Sequence, residues 1–186
     1  MARSNPNLVW MDLEMSGLDP ESDVILEIAT IVTDANLNIL EEGPVLAVHQ
    51  PQNVFEAMDD WNTRHHTQSG LVDRCRKSQY SLADCEDVTL KFIKKYTVER
   101  GNVLCGNSIT QDRRFLYKYM PKLSAWLNYR NVDVSSIKEL AFRWYPNLPE
   151  FQKMERHQAL DDIRESIAEL QYYKKTIFVN KPVKEF

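Results

Sequence analysis

The chain has 186 residues, 43% of them hydrophobic and 27% charged, with a formal net charge of −4 at pH 7. That length suits one hydrophobic core, so we expect a single domain over residues 1–186, with its core at about 5–175 and a C-terminal tail at 176–186. No apolar run approaches the roughly 20 residues of a membrane span. The negative charge also argues against a long nucleic-acid track, which needs a basic groove.

Cysteine usage and the N-terminal residues indicate a cellular compartment. Cys75, Cys85 and Cys105 are an odd number with no Cys-x-x-Cys pair, which argues against a disulfide framework and against structural zinc. The first residues lead into a strand pattern without the apolar region of a secretory signal. We therefore expect a cytoplasmic protein with reduced thiols and no membrane association.

The first half of the chain is predicted to consist mainly of strands. The apolar run Leu8–Met15 is too short for a helix and is typical of a buried strand. A second strand is expected at 24–33 and a third, pieced together, at 38–48. The turn-like residues 36–38 join these two into an antiparallel hairpin.

The remainder is predicted to alternate helices and strands. Ser81 and Asp84 form a capping-box pattern before an amphipathic helix that extends to Tyr96. The other elements are helices near 54–58 and 61–69, a strand at 102–105, a helix containing Asp112 and closed by Pro121, a strand at 129–134, and helices at 137–144 and 158–175. This order predicts an α/β fold in which helices flank a mixed sheet.

Two carboxylates share one face of the first predicted strand. Asp12 and Glu14 are two residues apart, so their side chains point to the same side. Adjacent carboxylates in an apolar strand repel each other and lose hydration, a cost that a bound cation removes. The alternative is a strand end at which both acids simply meet solvent.

Three further polar residues occur at helix starts. Asp112 lies on the inward stripe of its helix in the first turn, where an acid is also common because it complements the helix dipole. His157 precedes the last helix, and Asp162 borders that helix's apolar stripe while Asp161 faces more toward solvent. A lone histidine before a helix is more often structural than catalytic, so its spacing to Asp162 is not decisive by itself.

These residues together resemble the DEDDh family of 3′-to-5′ exonucleases. The family's three motifs are present as Asp12-x-Glu14, Asp112, and His157 five residues before Asp162. Residues 10–19, 25–29, 106–115 and 157–163 are similar to the oligoribonuclease branch in particular. The resemblance covers about residues 5–175 and implies a single exonuclease domain with a ribonuclease H-like fold.

The resemblance also implies a mechanism that uses two divalent cations, Mg²⁺ or Mn²⁺. Asp12 would bridge both ions, Glu14 and Asp162 would hold the ion that activates water, and Asp112 would hold the other. His157 would act as general base, and its ordinary pKa of about 6.5 leaves it mostly neutral at neutral pH. The products would be nucleoside 5′-monophosphates released from the 3′ end of short RNA, dinucleotides above all.

Substrate contacts follow from the same resemblance. Leu18 would be an apolar wedge between bases, and Trp61 would stack on a base unless it belongs to the core. A 5′ phosphate would be held by Ser108, Arg130 and Ser135, with His66 as a further candidate. Gln111 is included among the substrate contacts, and Tyr129 would reach the partner's site in a homodimer.

Two other functions compete with this hypothesis. A trimming or proofreading exonuclease on longer RNA or DNA would use the same site, but the acidic charge and the lack of basic clusters argue against it. A non-catalytic nucleic-acid-binding domain on the same fold is disfavoured because all five catalytic positions are filled.

Overall fold

The computed structural model describes residues 5–152 and 159–178. Its strands are β1 (Leu8–Met15), β2 (Ile25–Thr33), β3 (Ile39–Glu42), β4 (Leu46–Ala47), β5 (Leu104–Gly106) and β6 (Asn131–Asp133). Its helices are α1 (Gln52–Glu56), α2 (Asp60–Gln68), α3 (Leu71–Lys77), α4 (Leu82–Ile93), α5 (Thr110–Tyr119), α6 (Pro121–Trp126), α7 (Val134–Trp144) and α8 (Ala159–Thr176). The strands form one mixed sheet in the order β3-β2-β1-β5-β6, with β4 also paired to β2, which confirms the predicted α/β class.

Strand β1 lies in the middle of the sheet and organises both of its faces. It pairs antiparallel with β2 along its whole length and parallel with β5 at Val9 and Trp10. Because side chains alternate along a strand, Val9 and Met11 contribute to one core with residues of α4, α5 and α6. Trp10 points the other way, into the core that it shares with α8. Asp12 and Glu14 follow Trp10 at two-residue intervals and therefore face α8.

Local sequence signals explain several element boundaries. The predicted β2–β3 hairpin is confirmed, and its turn is held by Asp34, whose carboxylate accepts from the backbone N–H groups of Asn36 and Asn38 at 2.8 and 2.9 Å. The capping box of Ser81 and Asp84 is present at the start of α4. These polar side chains satisfy backbone donors that the adjoining elements leave unpaired.

The structure corrects four sequence-based expectations. The predicted third strand is divided into β3 and β4, with Gly43 and Pro44 between them. The sequence did not predict helix α3. Pro121 was expected to end the Asp112 helix, and it also begins a further helix, α6, because proline is well tolerated at the first position of a helix. Helix α7 begins at Val134 and not at 137, because Asp133 caps it by accepting from the Ser135 N–H at 2.9 Å.

Some expectations lie outside the part of the chain that the structure describes. They concern Gln158, the expected first residue of the last helix, and the tail from residue 179 onward. Within the described ranges, no helix combines the length and apolarity that crossing a membrane requires.

Candidate active site

The structure brings together the carboxylates of Asp12, Glu14 and Asp162. One oxygen of each lies within 4.8 Å of the others. Asp162 reaches this place because Ile163 and Ile167 pack α8 onto the face of the sheet that Trp10 also occupies. The neighbouring acid of α8 points elsewhere and forms an ion pair with Arg164 at 2.6 Å. Asp162 and not Asp161 is thus the acid of α8 that joins the cluster.

Asp112 approaches the same strand from α5. Its Oδ1 accepts a hydrogen bond from the Leu13 N–H at 2.9 Å, and its side chain is buried. The paired residues of β1 and β5 end at Trp10 and Cys105, so Leu13 lies beyond the parallel ladder and its N–H is available to Asp112. The bond fixes the first turn of α5 beside the strand that carries Asp12.

Burial and mutual repulsion raise the pKa values of these acids. Burial raises the pKa of Asp12 well above its usual range, with further contributions from the charges of Asp112, Glu14 and Asp162. Burial, followed by repulsion from Asp162, raises the pKa of Glu14 to about 7, and burial raises that of Asp112 to about 7. A divalent cation would stabilise the ionised forms, and a donor set made of carboxylate oxygens fits the hard ions Mg²⁺ and Mn²⁺.

An ion pair between the buried Glu27 and the exposed Arg74 lies next to Glu14. Glu27 is the residue of β2 opposite Glu14, and Arg74 of α3 donates to both of its oxygens at 3.0 Å. The positive charge of Arg74 lowers the pKa of Glu14, although burial and the other acids outweigh it. Sequence analysis did not find this pair. The only local signal was one acid within the apolar β2, and its partner belongs to the helix that was not predicted.

His66 lies against the carboxylate cluster and not at the surface. Its ring is 2% exposed, its Nε2 is 2.9 Å from the carbonyl oxygen of Met15, and its Nδ1 is 3.9 Å from Glu14 Oε2. A carbonyl can only accept, so Nε2 carries the hydrogen. Burial lowers the pKa of His66 and favours the neutral ring. The contact with a 5′ phosphate that the resemblance implies for His66 stays a prediction.

The loop after β1 presents Leu18 to solvent. Leu18 is 70% exposed, and its carbonyl accepts a hydrogen bond from the Gln111 side chain of α5. A Cβ at Gly17 would lie 2.5 Å from the Asp23 carboxylate, which receives hydrogen bonds from Ser16 and from the Asp19 backbone. The close approach of Asp23 therefore requires glycine, and Gln111 supports the loop that carries Leu18.

Trp61 is also exposed. Its side chain is 60% accessible and stacks on His65, with ring centroids 4.8 Å apart and planes inclined by 10°. This position excludes the alternative that Trp61 is a core residue. It leaves one face of an indole available for stacking, a role that stays a prediction.

Ser108 and Ser135 meet where β5 and β6 end. Gly106 pairs with Asp133, and the two serine hydroxyls lie 3.2 Å apart just beyond that pair. The backbone N–H of Ser108 donates to Asp133 Oδ1 and to Ser135 Oγ at 3.0 and 2.9 Å. Ser108 has a φ of 49°, a left-handed conformation that these bonds stabilise.

Arg130 and Tyr129 lie at the other end of β6. The guanidinium carbon of Arg130 is 5.3 Å from the Tyr129 ring centroid, and Arg130 Nε donates to the Tyr129 hydroxyl at 3.1 Å. Tyr129 is 78% exposed. Arg130 precedes β6 and Ser135 follows it, so the two are separated by a strand that rises about 3.3 Å per residue. His157, the expected general base, lies outside the described residues.

Comparison with known proteins gives matches along most of the chain. The exonuclease family model RNase T matches residues 9–170. The oligoribonuclease of Pseudomonas paraeruginosa is 59% identical over 172 residues, which are 91% of this chain and 96% of that protein. The oligoribonuclease of Vibrio cholerae is 59% identical over 179 residues, 96% of this chain and 99% of that protein.

Solved structures of exonuclease I share the fold. The enzyme of Methylocaldum szegediense has a TM-score of 0.68 at 19% identity and covers 92% of this chain. E. coli exonuclease I in complex with a 5cy-dT13 oligonucleotide has a TM-score of 0.70 at 16% identity and covers 94%. The match spans 41% and 42% of those longer chains. The likeness confirms the predicted ribonuclease H-like fold.

The raised pKa values predict how pH and cations change stability. A carboxyl whose folded-state pKa is raised stabilises the fold fully below its unfolded pKa of about 4, and this stability is lost as pH rises through about 7. Adding Mg²⁺ or Mn²⁺ at 100 times the dissociation constant that it has at pH 7.5 should therefore raise Tm at that pH by about 5–10 °C, and the same concentration should raise Tm by less at pH 5.5.

Thermal unfolding of Asp12→Asn tests the same point. This variant should have a higher Tm than the wild type in chelator at pH 7.5, because repulsion among the clustered carboxyls is reduced, and should lose the increase caused by Mg²⁺. Glu21→Gln, which changes an exposed acid paired with Lys118, is the control and should retain that increase. A wild-type Tm that does not respond to either cation at pH 7.5 would contradict a metal site here.

Proposed function

Since the chain belongs to the oligoribonuclease family of exonucleases, we propose that it is a metal-dependent 3′-to-5′ exoribonuclease that hydrolyses short oligoribonucleotides to nucleoside 5′-monophosphates. The observation that carries this proposal is the convergence of Asp12, Glu14 and Asp162 on one side of β1, with Asp112 beside them. Partly buried carboxylates that lie close together and are difficult to ionise without a cation suit phosphodiester hydrolysis assisted by divalent ions.

Four acids would hold two Mg²⁺ or Mn²⁺ ions. Asp12, Glu14, Asp162 and Asp112 are the residues that would hold them. The ions would polarise the phosphoryl oxygens, lower the pKa of the attacking water and stabilise the leaving oxygen. Asp112 is oriented before substrate arrives by its hydrogen bond from the Leu13 N–H, and the positive charge of Arg74 partly offsets the repulsion that Glu14 meets from the other acids.

His157 is the proposed general base. It would take the proton from water as the water oxygen attacks the terminal phosphate, and the bond to the 3′ oxygen of the preceding nucleotide would break. The products are a nucleoside 5′-monophosphate and an oligonucleotide with a free 3′ hydroxyl. A neutral imidazole with a pKa near 6.5 suits this transfer.

The proposed substrate contacts surround this centre. Leu18 and Trp61 are both exposed, as a wedge and a stacking platform must be. Ser108 and Ser135 provide adjacent hydroxyls for a 5′ phosphate. If these groups close around an end, a longer chain has to pass them, and the acidic protein offers little attraction to added phosphates. We therefore propose that dinucleotides are the favoured substrates. We also propose that the enzyme acts in the cytoplasm.

A two-fold homodimer is also proposed, because Arg130 lies at the opposite end of β6 from Ser135. A side chain about 7 Å long does not span that strand easily, given about 3.3 Å per residue. In a dimer, Tyr129 and Arg130 of one protomer would reach the partner's site. A groove of about 760 Å³ beside the exposed Tyr129 and Tyr117 offers a surface for such a contact.

Length selectivity is the central test. Single-turnover decay of end-labelled RNAs of two to seven nucleotides should be fastest for the dinucleotide and should require Mg²⁺ or Mn²⁺. Removing the 5′ phosphate from the dinucleotide should raise its Kd. Ser135→Ala should weaken this phosphate dependence, while Ser136→Ala, an exposed neighbour, is the matched control. Rates that stay flat or rise with length would favour an exonuclease for longer RNA or DNA.

The role of His157 has its own test. His157→Ala should lower kcat by about 10²–10⁴, the usual effect of losing a general base, with little change in dinucleotide affinity. The wild-type rate should rise with pH through the titration of the histidine and then level off, and the variant should lack that rise. His49→Ala changes an exposed histidine elsewhere and should behave as the wild type. An unchanged rate in His157→Ala would show that the residue is structural.

Assembly can be tested by mixing two inactive variants. Light scattering should give twice the chain mass of 21.8 kDa. Arg130→Glu and Asp162→Asn should each be nearly inactive as homodimers. In mixed dimers, one site would combine the intact Asp162 of one protomer with the intact Arg130 of its partner. Refolding equal amounts together should restore about a quarter of the wild-type activity, from random pairing in a two-fold dimer. A monomer mass would contradict the proposal of a dimer, and no recovery would place Arg130 in its own subunit's site.

A further inference from the structure

Two histidines extend the carboxylate cluster on the side of α2. Possible ligand atoms of Glu14, His65 and His66 lie within 4.8 Å of one another. Glu14 therefore belongs to two groups, this one and the carboxylate group that it forms with Asp12 and Asp162. The two groups differ in chemistry. The carboxylate group offers oxygen alone and suits Mg²⁺ or Mn²⁺, whereas two imidazoles and one carboxylate suit Zn²⁺ and similar borderline ions.

His66 is held in the manner of a metal ligand. Its Nε2–H donates to the Met15 carbonyl at 2.9 Å, and metal-binding histidines usually donate their second nitrogen to such a group. This bond leaves the lone pair on Nδ1, which is buried, has no hydrogen-bond partner and lies 3.9 Å from Glu14 Oε2. A buried imidazole lone pair that faces a partly exposed carboxylate favours a positive charge between them, which a metal ion or a proton on the carboxyl can supply.

We propose that Glu14, His65 and His66 bind one Zn²⁺-class ion at a position distinct from the two carboxylate-bound ions. Bonds of about 2.0–2.2 Å from tetrahedral zinc place an imidazole nitrogen and a carboxylate oxygen about 3.4 Å apart. The observed separation of 3.9 Å needs only a small rotation of the Glu14 side chain. His65 is partly exposed and stacks on Trp61, so the ion would be reached from the surface beside that indole.

Binding at this position would antagonise the proposed catalytic ions. Glu14 belongs to both groups, and a dication bound to it adds positive charge close to the ion that Glu14 shares with Asp162. The concentration of Mg²⁺ needed for activity should therefore rise when Zn²⁺ is present. The inference uses a residue of the proposed catalytic site, but the binding experiment that follows needs no activity and would succeed or fail separately from the proposed function.

Binding to the chelated, metal-free protein is the first measurement. Zn²⁺ affinity is obtained by competition with a chromophoric chelator, and Co²⁺ serves as a spectroscopic substitute because tetrahedral nitrogen-containing sites absorb more strongly in the visible than octahedral oxygen sites. His65→Phe retains an aromatic ring against Trp61 but removes the ligand, and should weaken Zn²⁺ binding at least about tenfold. His65→Gln is a second variant with a polar replacement.

Two controls locate the ion. His49→Phe changes an exposed histidine elsewhere and should bind Zn²⁺ as the wild type does. Asp162→Asn disables the carboxylate group but leaves all three proposed ligands, and should retain both the Zn²⁺ affinity and the Co²⁺ absorption. Equal affinity in the wild type and both His65 variants would overturn the proposal. Loss of binding in Asp162→Asn would also overturn it, because the ion would then lie among the carboxylates.

Activity provides a second, independent measurement. In the wild type, micromolar Zn²⁺ should shift the Mg²⁺ dependence of dinucleotide hydrolysis to higher Mg²⁺. In His65→Phe the shift should be at least about tenfold smaller at the same Zn²⁺ concentration. An identical shift in the two proteins would mean that Zn²⁺ competes directly at the carboxylate site, and the proposal would fail.

Discussion

The carboxylates of Asp12 and Glu14 face α8 from the middle strand of the sheet, where water solvates them poorly and Asp162 lies within 4.8 Å. Burial of these charges and the repulsion among them oppose folding, and both raise the pKa of Glu14 to about 7. Apolar packing must hold them together against that repulsion. Val9, Met11 and Leu13 face one core, and Trp10 packs with Ile163 and Ile167 in the other. Apolar packing of the fold thus keeps together acids whose repulsion a bound cation would relieve.

Hydrogen bonds fix several of the residues that surround the centre. Arg74 holds Glu27 behind Glu14, the Leu13 N–H fixes Asp112, and the Met15 carbonyl orients His66. All three contacts use β1 or the strand beside it. The exposed groups proposed for substrate depend on the same frame, because the Leu18 loop leaves the end of β1 and the Ser108 turn leaves the end of β5, its parallel neighbour. Displacing β1 would therefore disturb cation and substrate contacts together.

Elements with strong periodic patterns were predictable from sequence. Helical periodicity favoured Asp162 over Asp161 only slightly, and the family resemblance indicated that Asp162 is the acid of α8 that joins the cluster. The hydrophobic runs of β1 and β2 and the capping box of α4 specify their own structure. Helix α3 was not predictable because its seven residues show no clear periodicity of apolar side chains. Its apolar residues Leu71, Val72 and Cys75 are buried only because the fold places them against Phe55 and Leu26.

The position of His66 likewise depends on tertiary structure. Residue spacing on α2 does not reveal that its ring is covered and faces Glu14 of a distant strand. The same holds for Arg130. The family resemblance implied one phosphate site for Arg130 and Ser135, and the intervening β6 places the two residues at opposite ends of a strand. Residues that are close in sequence can lie at opposite ends of a strand, so the course of the strand decides which side chains can meet.

Charge and site geometry together explain how an acidic protein attracts RNA. Two divalent cations would carry as much positive charge as the chain's net charge of −4, but would concentrate it at one place. Salt screens such a charge within about 8 Å under physiological conditions. Phosphates close to the centre are therefore attracted, while those farther along a chain meet a surface with no net basic character. A short substrate has all its phosphates within the attractive region, and each nucleotide added to it contributes flexibility that must be restrained without an equivalent electrostatic gain.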